Sequence, residues 1–534
     1  MTTSDAIVPG APPTGAHPPG PEPSRATGDG PDAPGTGPGR GTGRGVAVSS
    51  ATQLGAKLVH LVLNVVSTLA IIRALPPDRY GAYVLVLTTT MLVGLLADYG
   101  LTKLAVREIA QRPEDPDHEA GVLGTIVLTR LGLAVVAVGI TQAVLWLLGA
   151  TAEVHTAALL LSAIYFGDAL LAPLMVVFHV RLRQEWEAGI RVVMEAVETA
   201  MVLWLLATGA SLVTLFWAPV VGMAVGVALS VAVTRRRFGT RLRLAPASVP
   251  GLLRDGLPLG PALVIGVITL KLDGLMLAGL RSEREVGLYG SAFQPIEYTF
   301  LAAGVVVTVA FPLLAAAHQR DPDRFEAIYR RVTEVLVGSM LLVPVLLAFT
   351  GEPLLVAVYG DGYAEASVPL RLLAVTLVLM TVNAWQAFVL LAVGRQAVTL
   401  WYNAAALAVA ALANLALIPA WGMPGAAVAT IITSVAVLVC STVACVRLAD
   451  VRLDPGPLLR LAAAAGLTAA LLAGLDAAGT PWALLLVAGL VAYPVAAVAT
   501  GALRPRAVLA AVRAADGPSG PMALAGAGPV GEGS

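Results

Sequence analysis

The strongest constraint on this chain is a run of long apolar segments, one after another from about residue 46 to residue 502, separated by short polar loops. A segment of about 20 apolar residues matches the thickness of a bilayer core as a helix, and within a bilayer every backbone N–H and C=O must be satisfied internally. Helices meet both demands, so the chain is expected to be an all-α integral membrane protein. The composition agrees, with 57% hydrophobic and only 13% charged residues where soluble domains carry about 25%. A large soluble catalytic domain is therefore excluded.

Fourteen spans are expected, near 46–75, 81–103, 121–149, 155–178, 188–207, 211–234, 257–280, 288–315, 332–350, 367–394, 397–420, 424–447, 457–475 and 481–502. The fifth is the least apolar, because Arg191, Glu195 and Glu198 fall inside it. Residues 1–45 are of another class, holding ten Pro and eleven Gly and almost no large apolar side chains. Such a composition cannot bury a core, so a disordered tail is expected there. The tail has no short apolar region of the cleavable kind, which makes the first span an expected uncleaved anchor.

Net charge is zero, so nothing in the charge balance points to a nucleic-acid partner, but the basic residues are unevenly placed. With the N-terminus in the cytoplasm, the outer loops hold only Arg73, Arg79, Arg281 and Arg284. Lys57, Arg130, Arg191, Lys271 and Arg371 lie within spans, and the remaining 25 of the 34 Lys and Arg lie on the cytoplasmic side. A missed span would invert every later loop and destroy this asymmetry. Both termini, including the tail 503–534, are expected in the cytoplasm, and the protein is expected in the plasma membrane.

The longest cytoplasmic loop, 235–256, divides an N-terminal six-helix lobe (46–234) from a C-terminal one (257–447), with two additional helices in 448–502. An internal repeat supports the division: "DRYGAY" at 78–83 and "REVGLY" at 284–289 place Gly81 and Tyr83 opposite Gly287 and Tyr289 at a spacing of 206. Six spans per repeat keep the same orientation, so the lobes should relate by a pseudo-two-fold axis along the membrane normal. Gly81 and Gly287 are read as permitting tight hairpins.

Ionisable groups within spans cost roughly 2.5–3.5 kcal/mol each at mid-helix, so they normally face protein or a water-filled cavity. In the first span Gln53, Lys57, His60, Asn64 and Ser67 follow spacings of four, three, four and three and therefore share one face. That stripe fits a helix lining a hydrated path, or one hydrogen-bonded to its neighbours. Arg191 is placed to pair with Glu195 one turn on, with Glu198 on the same face. Lys271 and Asp273 are two residues apart and must find different partners. Arg130, Asp168 and Arg371 are isolated in sequence, and Glu297 lies near Gln294 in the eighth span. Gln53, Lys57, His60, Asn64, Arg130, Arg191 and Lys271 are the candidate substrate-cavity residues. Asp168, Glu195, Glu198, Asp273 and Glu297 are candidates for balancing that charge or coupling to an ion. Cys440 and Cys445 lie in one apolar segment and read as packing residues. No phosphate-binding loop, metal-ligand spacing or nucleophile–base pair is present, so neither a cofactor nor an enzyme is expected.

Five stretches occur in order: "RALPPDRYGAYVLVLTTTMLVGLLADYGLTKLAVREIAQ" (73–111), "KLDGLMLAGLRSEREVGLYGSAFQPIE" (271–297), "FPLLAAAHQRDPDRFEAIYRR" (311–331), "GEPLLVAVYGDGYAEA" (351–366) and "ANLALIPAWGMPGAAVAT" (413–430). Together they resemble the polysaccharide-biosynthesis flippases, the oligosaccharide-flippase branch of the multidrug/oligosaccharidyl-lipid/polysaccharide exporter superfamily, over about residues 50–500. The resemblance implies two six-helix lobes with two extra helices, and a cavity that opens alternately to each side. It also implies movement of a lipid-linked oligosaccharide to the outer leaflet, with a polymerase or glycosyltransferases as possible partners. A cation-coupled multidrug exporter and a lipid II-type flippase are the competing readings.

Overall fold

The computed structural model describes residues 41–98, 101–112, 115–181, 183–239, 243, 260–318, 320–452 and 454–502. The chain divides into two units, 1–50 and 51–534, and of the first only 41–50 are described, as helix. The expected tails 1–40 and 503–534 and most of the loop 235–256 lie outside the described residues, as does the side chain of Gln53.

Among the described residues every expected span falls on a helix or a pair of helices. In the first half these are α1 (Gly41–Ala74), α2 (Pro77–Asp98), α4 (Pro116–Leu147), the pair α5 (Ala152–Leu161) and α6 (Ala163–Val180), α7 (Gln184–Ala207), and the pair α8 (Leu212–Leu215) and α9 (Trp217–Val233). In the second half they are α10 (Gly260–Leu280), α11 (Glu283–His318), α12 (Pro322–Tyr359), α13 (Ser367–Ala392), α14 (Gln396–Trp421), α15 (Met423–Leu448), α16 (Pro455–Ala477) and α17 (Trp482–Ala499). No strand occurs among the described residues. Eleven of these segments are long and apolar enough to cross a membrane. One that falls short is α7, where Arg191, Glu195 and Glu198 interrupt the apolar run. An additional amphipathic helix, α3 (Leu101–Gln111), follows the second span and buries Leu101, Ala105 and Ile109 against α4 and α6.

Local chemistry sets where several helices begin. At Asp115–Pro116, Asp321–Pro322 and Asp454–Pro455 the aspartate carboxylate accepts backbone N–H bonds from the first turn, at 3.0–3.1 Å, while the proline fills a position whose N–H would go unused. The α14–α15 turn closes on Gly422, whose φ of +61° is open to glycine. That turn is also held from outside: Arg281 donates to the Ile418 and Pro419 carbonyls, and Glu285 accepts from the Met423 N–H at 2.9 Å.

Packing lies mostly within each half, for example α7 on α9 and α6 on α9, or α13 on α15 and α14 on α15. The halves meet chiefly where α2 packs on α10 and α11. Gly81 and Gly287 do not make hairpins; both lie in the first turns of helices, where α2 and α11 cross at backbone contact. A Cβ on Gly81 would sit 1.8 Å from the Glu283 carbonyl oxygen, and one on Gly287 would sit 2.0 Å from the Pro77 carbonyl oxygen. The contact is reciprocal at the repeat spacing, since Glu283 follows Pro77 by the same interval that separates the two glycines. A self-complementary contact of this kind is what a two-fold axis running between the two helices produces. Around the crossing Tyr83 stacks on Tyr80 and Phe216, Tyr363 meets Tyr80 and Tyr359 edge to face and donates to the Leu75 carbonyl, and the ion pairs Arg79–Glu153 and Arg284–Glu365 lie beside it.

Candidate functional site

The polar stripe of α1 is turned toward α7 and α11. His60 Nδ1 lies 3.1 Å from Glu195, Asn64 Nδ2 lies 3.5 Å from the same carboxylate, and Ser67 donates to Thr199 at 2.8 Å. The rising pairs 60–195 and 67–199 mean that α1 and α7 run in the same direction, as odd-numbered spans must. Tyr298 on α11 reaches across to Asn64 Oδ1 and Thr68 Oγ1, both at 2.9 Å. The two readings of the stripe thus separate by position, with Asn64 and Ser67 tying helices together and Lys57 and His60 facing open space.

That space is a cavity of about 380 Å3 bounded by Lys57 and His60 from α1, His179 from α6, and Glu187, Arg191, Glu195 and Glu198 from α7. The expected Arg191–Glu195 pair does not form. Arg191 Nε instead donates to Glu187, one turn earlier, at 3.0 Å, and His179 Nε2 is 3.3 Å from the same Glu187. Glu195 is left for His60 and Asn64. Helix geometry allows an arginine to pair in either direction along its face, and the neighbouring helix decides which carboxylate is taken.

A second cavity, of about 660 Å3, adjoins the first through the shared lining residues His179, Glu187 and Arg191. It extends between α2, α4 and α6, where Arg130 pairs with Asp168. Arg130 is 1% exposed although its partner is half open to the cavity. Removing one member of such a pair strands the other charge, whereas removing both does not. Arg130→Leu is therefore expected to lower the thermal unfolding midpoint in detergent more than the double change Arg130→Leu/Asp168→Leu. Equal or greater loss in the double variant would show that the pair is not the stabilising contact.

Lys271, Asp273 and Glu297 are placed elsewhere. Lys271 Nζ bonds to both Glu297 oxygens at 3.1–3.2 Å and lies 5.0 Å from the Phe293 ring centre, and it lines neither cavity of the first half. Asp273 is buried and receives Tyr289, the Gly274 N–H at 2.8 Å and Thr430 at 3.0 Å. It borders a smaller cavity of about 240 Å3 with Asn383, Asn414 and Thr433. The two residues do take different partners, as their spacing requires. Arg371 approaches Glu352 at 4.0 Å, and Gln386 holds Thr442 and Ser441 of α15, a tie between helices.

Of the histidines and carboxylates that line the two cavities, His179 and Glu187 are absent from the sequence-based candidates. Asp168, Ala172, Met175 and His179 follow spacings of four, three and four, the rule that exposed the α1 stripe, but two of the four are apolar and the pattern does not stand out. Glu187 precedes the apolar run that begins near 188, whereas α7 already starts at Gln184.

Comparison with known proteins places this architecture. The solved structure of a lipid II flippase, MurJ, in an inward closed conformation superposes with a TM-score of 0.68 at 10% identity, covering 84% of this chain and 98% of that one. An inward-facing multidrug resistance MATE family transporter of the MOP superfamily gives 0.62 at 15% identity, covering 75% and 98%. A Vibrio cholerae MATE transporter gives 0.51 at 14% identity, covering 75% and 95%. At these identities the likeness is one of fold. No curated protein sequence matches. The family model for polysaccharide biosynthesis proteins matches residues 42–318, more than half of the chain and all of the charged cavity. The chain belongs to the polysaccharide biosynthesis protein family and shares the fold of the MurJ and MATE structures.

Proposed function

We propose that this protein moves a lipid-linked oligosaccharide, a precursor of a polysaccharide or cell-wall glycan, from the cytoplasmic to the outer leaflet of the plasma membrane by alternating access. The arginine asymmetry orients it with both termini in the cytoplasm. The α2–α11 crossing then lies at the outer end, and the two six-helix lobes rock about it. The observation that carries this reading is Lys57: a cation on the cavity wall that has no ion pair among the described residues and is thus available to an anionic phosphate group. The surrounding carboxylates, imidazoles and amides can receive and donate hydrogen bonds to sugar hydroxyls. A cavity this polar within a membrane bundle is otherwise costly.

One observation favours the cation-coupled exporter: Asp168, Glu187, Glu195 and Glu198 outnumber Lys57, Arg130 and Arg191 on the cavity walls. Depleting the protein from its host distinguishes the two. The flippase reading expects lipid-linked sugar to accumulate in the cytoplasmic leaflet, inaccessible to an externally added sugar-modifying enzyme. A normal leaflet distribution combined with new sensitivity to cationic dyes would replace it with the exporter.

A further inference from the structure

The ion pairs of the cavity leave an uneven remainder. Arg130 is held by Asp168, Arg191 and His179 by Glu187, and His60 by Glu195. Among the described residues this leaves one cation, Lys57, and one carboxylate, Glu198, without a hydrogen bond or ion pair. They are not neighbours. Glu195 lies against His60 and Asn64, and Thr199 against Ser67, so Glu198 lies at the level of the α1 segment between Asn64 and Ser67. By helical rise that is roughly 10–15 Å along the axis from Lys57. Its side chain packs on Gly222 of α9, where the absence of a Cβ makes room for it.

We propose that the cavity selects lipid-linked saccharides whose only anionic group is the phosphate or pyrophosphate linkage, held at the level of Lys57, and whose distal sugars are neutral or amine-bearing at the level of Glu198. The inference rests on the flippase reading and adds the class of glycan. An acidic distal sugar would bring its carboxylate toward Glu198, and among the described residues every cavity cation other than Lys57 is already paired with a carboxylate. Rejection by like charge within a site of restricted water is a stronger filter than the gain of one extra hydrogen bond. A distal amine gains a partner there instead.

The test uses purified full-length protein in liposomes with three polyprenyl-pyrophosphate trisaccharides that differ only in the last sugar: glucose, glucosamine or glucuronate. Crossing is read by the access of an external sugar-modifying reagent. The glucose- and glucosamine-ended lipids are expected to cross at least about tenfold faster than the glucuronate-ended one. Glu198→Lys is expected to reverse the order of glucosamine and glucuronate, with the glucose-ended lipid as the control for folding. Equal rates for glucose and glucuronate in the wild type overturn the proposal, as does an unchanged order in a Glu198→Lys protein that still moves the glucose-ended lipid. If Glu198→Lys moves nothing, Glu198→Gln decides: a narrowed gap between glucose and glucuronate supports the proposal and an unchanged gap overturns it. If the wild type moves none of the three lipids, the flippase reading itself fails.

Discussion

Replacing Gly81 with alanine is expected to separate α2 from α11, lower the thermal unfolding midpoint in detergent by several degrees, and abolish transport. The added Cβ would fall 1.8 Å from the Glu283 carbonyl oxygen, far inside contact distance. A backbone carbonyl in a helix cannot swing aside as a flexible side chain can, so the whole end of α11 must move. Overpacking of this kind costs about 1–3 kcal/mol in cores that can partly relax, and a backbone-to-backbone clash sits at the upper end of that range. Gly287→Ala should behave alike, because its Cβ meets the Pro77 carbonyl oxygen at 2.0 Å in the reciprocal contact. Gly139→Ala supplies the control. Nothing lies within 4 Å of a Cβ there, in the middle of α4, and alanine is the better helix former. That variant should be at least as stable as the parent. Wild-type stability and transport in Gly81→Ala would show that the two helices do not close on one another in the working protein.

The crossing also shows what sequence could and could not yield. The spacing of 206 between Gly81 and Gly287 was readable, and so was the two-fold relation it implied, because repeats are a property of letters in order. That the two glycines face each other was not readable, since a glycine in a hairpin and a glycine at a helix crossing look the same in one sequence. The fourteen helical spans were legible for a simpler reason. Bilayer thickness imposes a minimum apolar length on every span, and the positive charges mark alternate loops. Even α7 was found, although its charges keep it from qualifying as a membrane span by composition alone.

The site was legible in part. The stripe on α1 pointed correctly to a polar face, because spacing fixes which residues of one helix share a side. Partner choice is not fixed by spacing, since Glu187 and Glu195 are both one turn from Arg191 and only the neighbouring helices decide for Glu187. The same limit applied to Lys271. As a lone cation in a span it had the same claim on the cavity as Lys57, and only the position of α11 reveals Glu297 and Phe293 beside it.

Lys57→Ala is expected to slow transport roughly ten- to hundredfold, the equivalent of losing a hydrogen bond to a charged group worth about 1.5–3 kcal/mol. Thermal stability and membrane insertion should be unchanged. Stability is spared because Lys57 has no ion pair among the described residues, so its removal strands no carboxylate, in contrast with Arg130. Lys57→Arg should retain most activity, since a guanidinium also satisfies a phosphate oxygen, while Lys57→Glu should abolish transport by repelling the anion. Arg191→Ala is expected to lose less, because Arg191 is engaged by Glu187 and His179 remains at that carboxylate. Growth complementation by an inducible copy, with leaflet accessibility of the lipid-linked sugar as the direct readout, ranks the four variants. Full complementation by both Lys57→Ala and Arg191→Ala would remove the substrate from this cavity. The transport path would then have to be sought in the second half, where Asp273 and Asn414 border the smaller space.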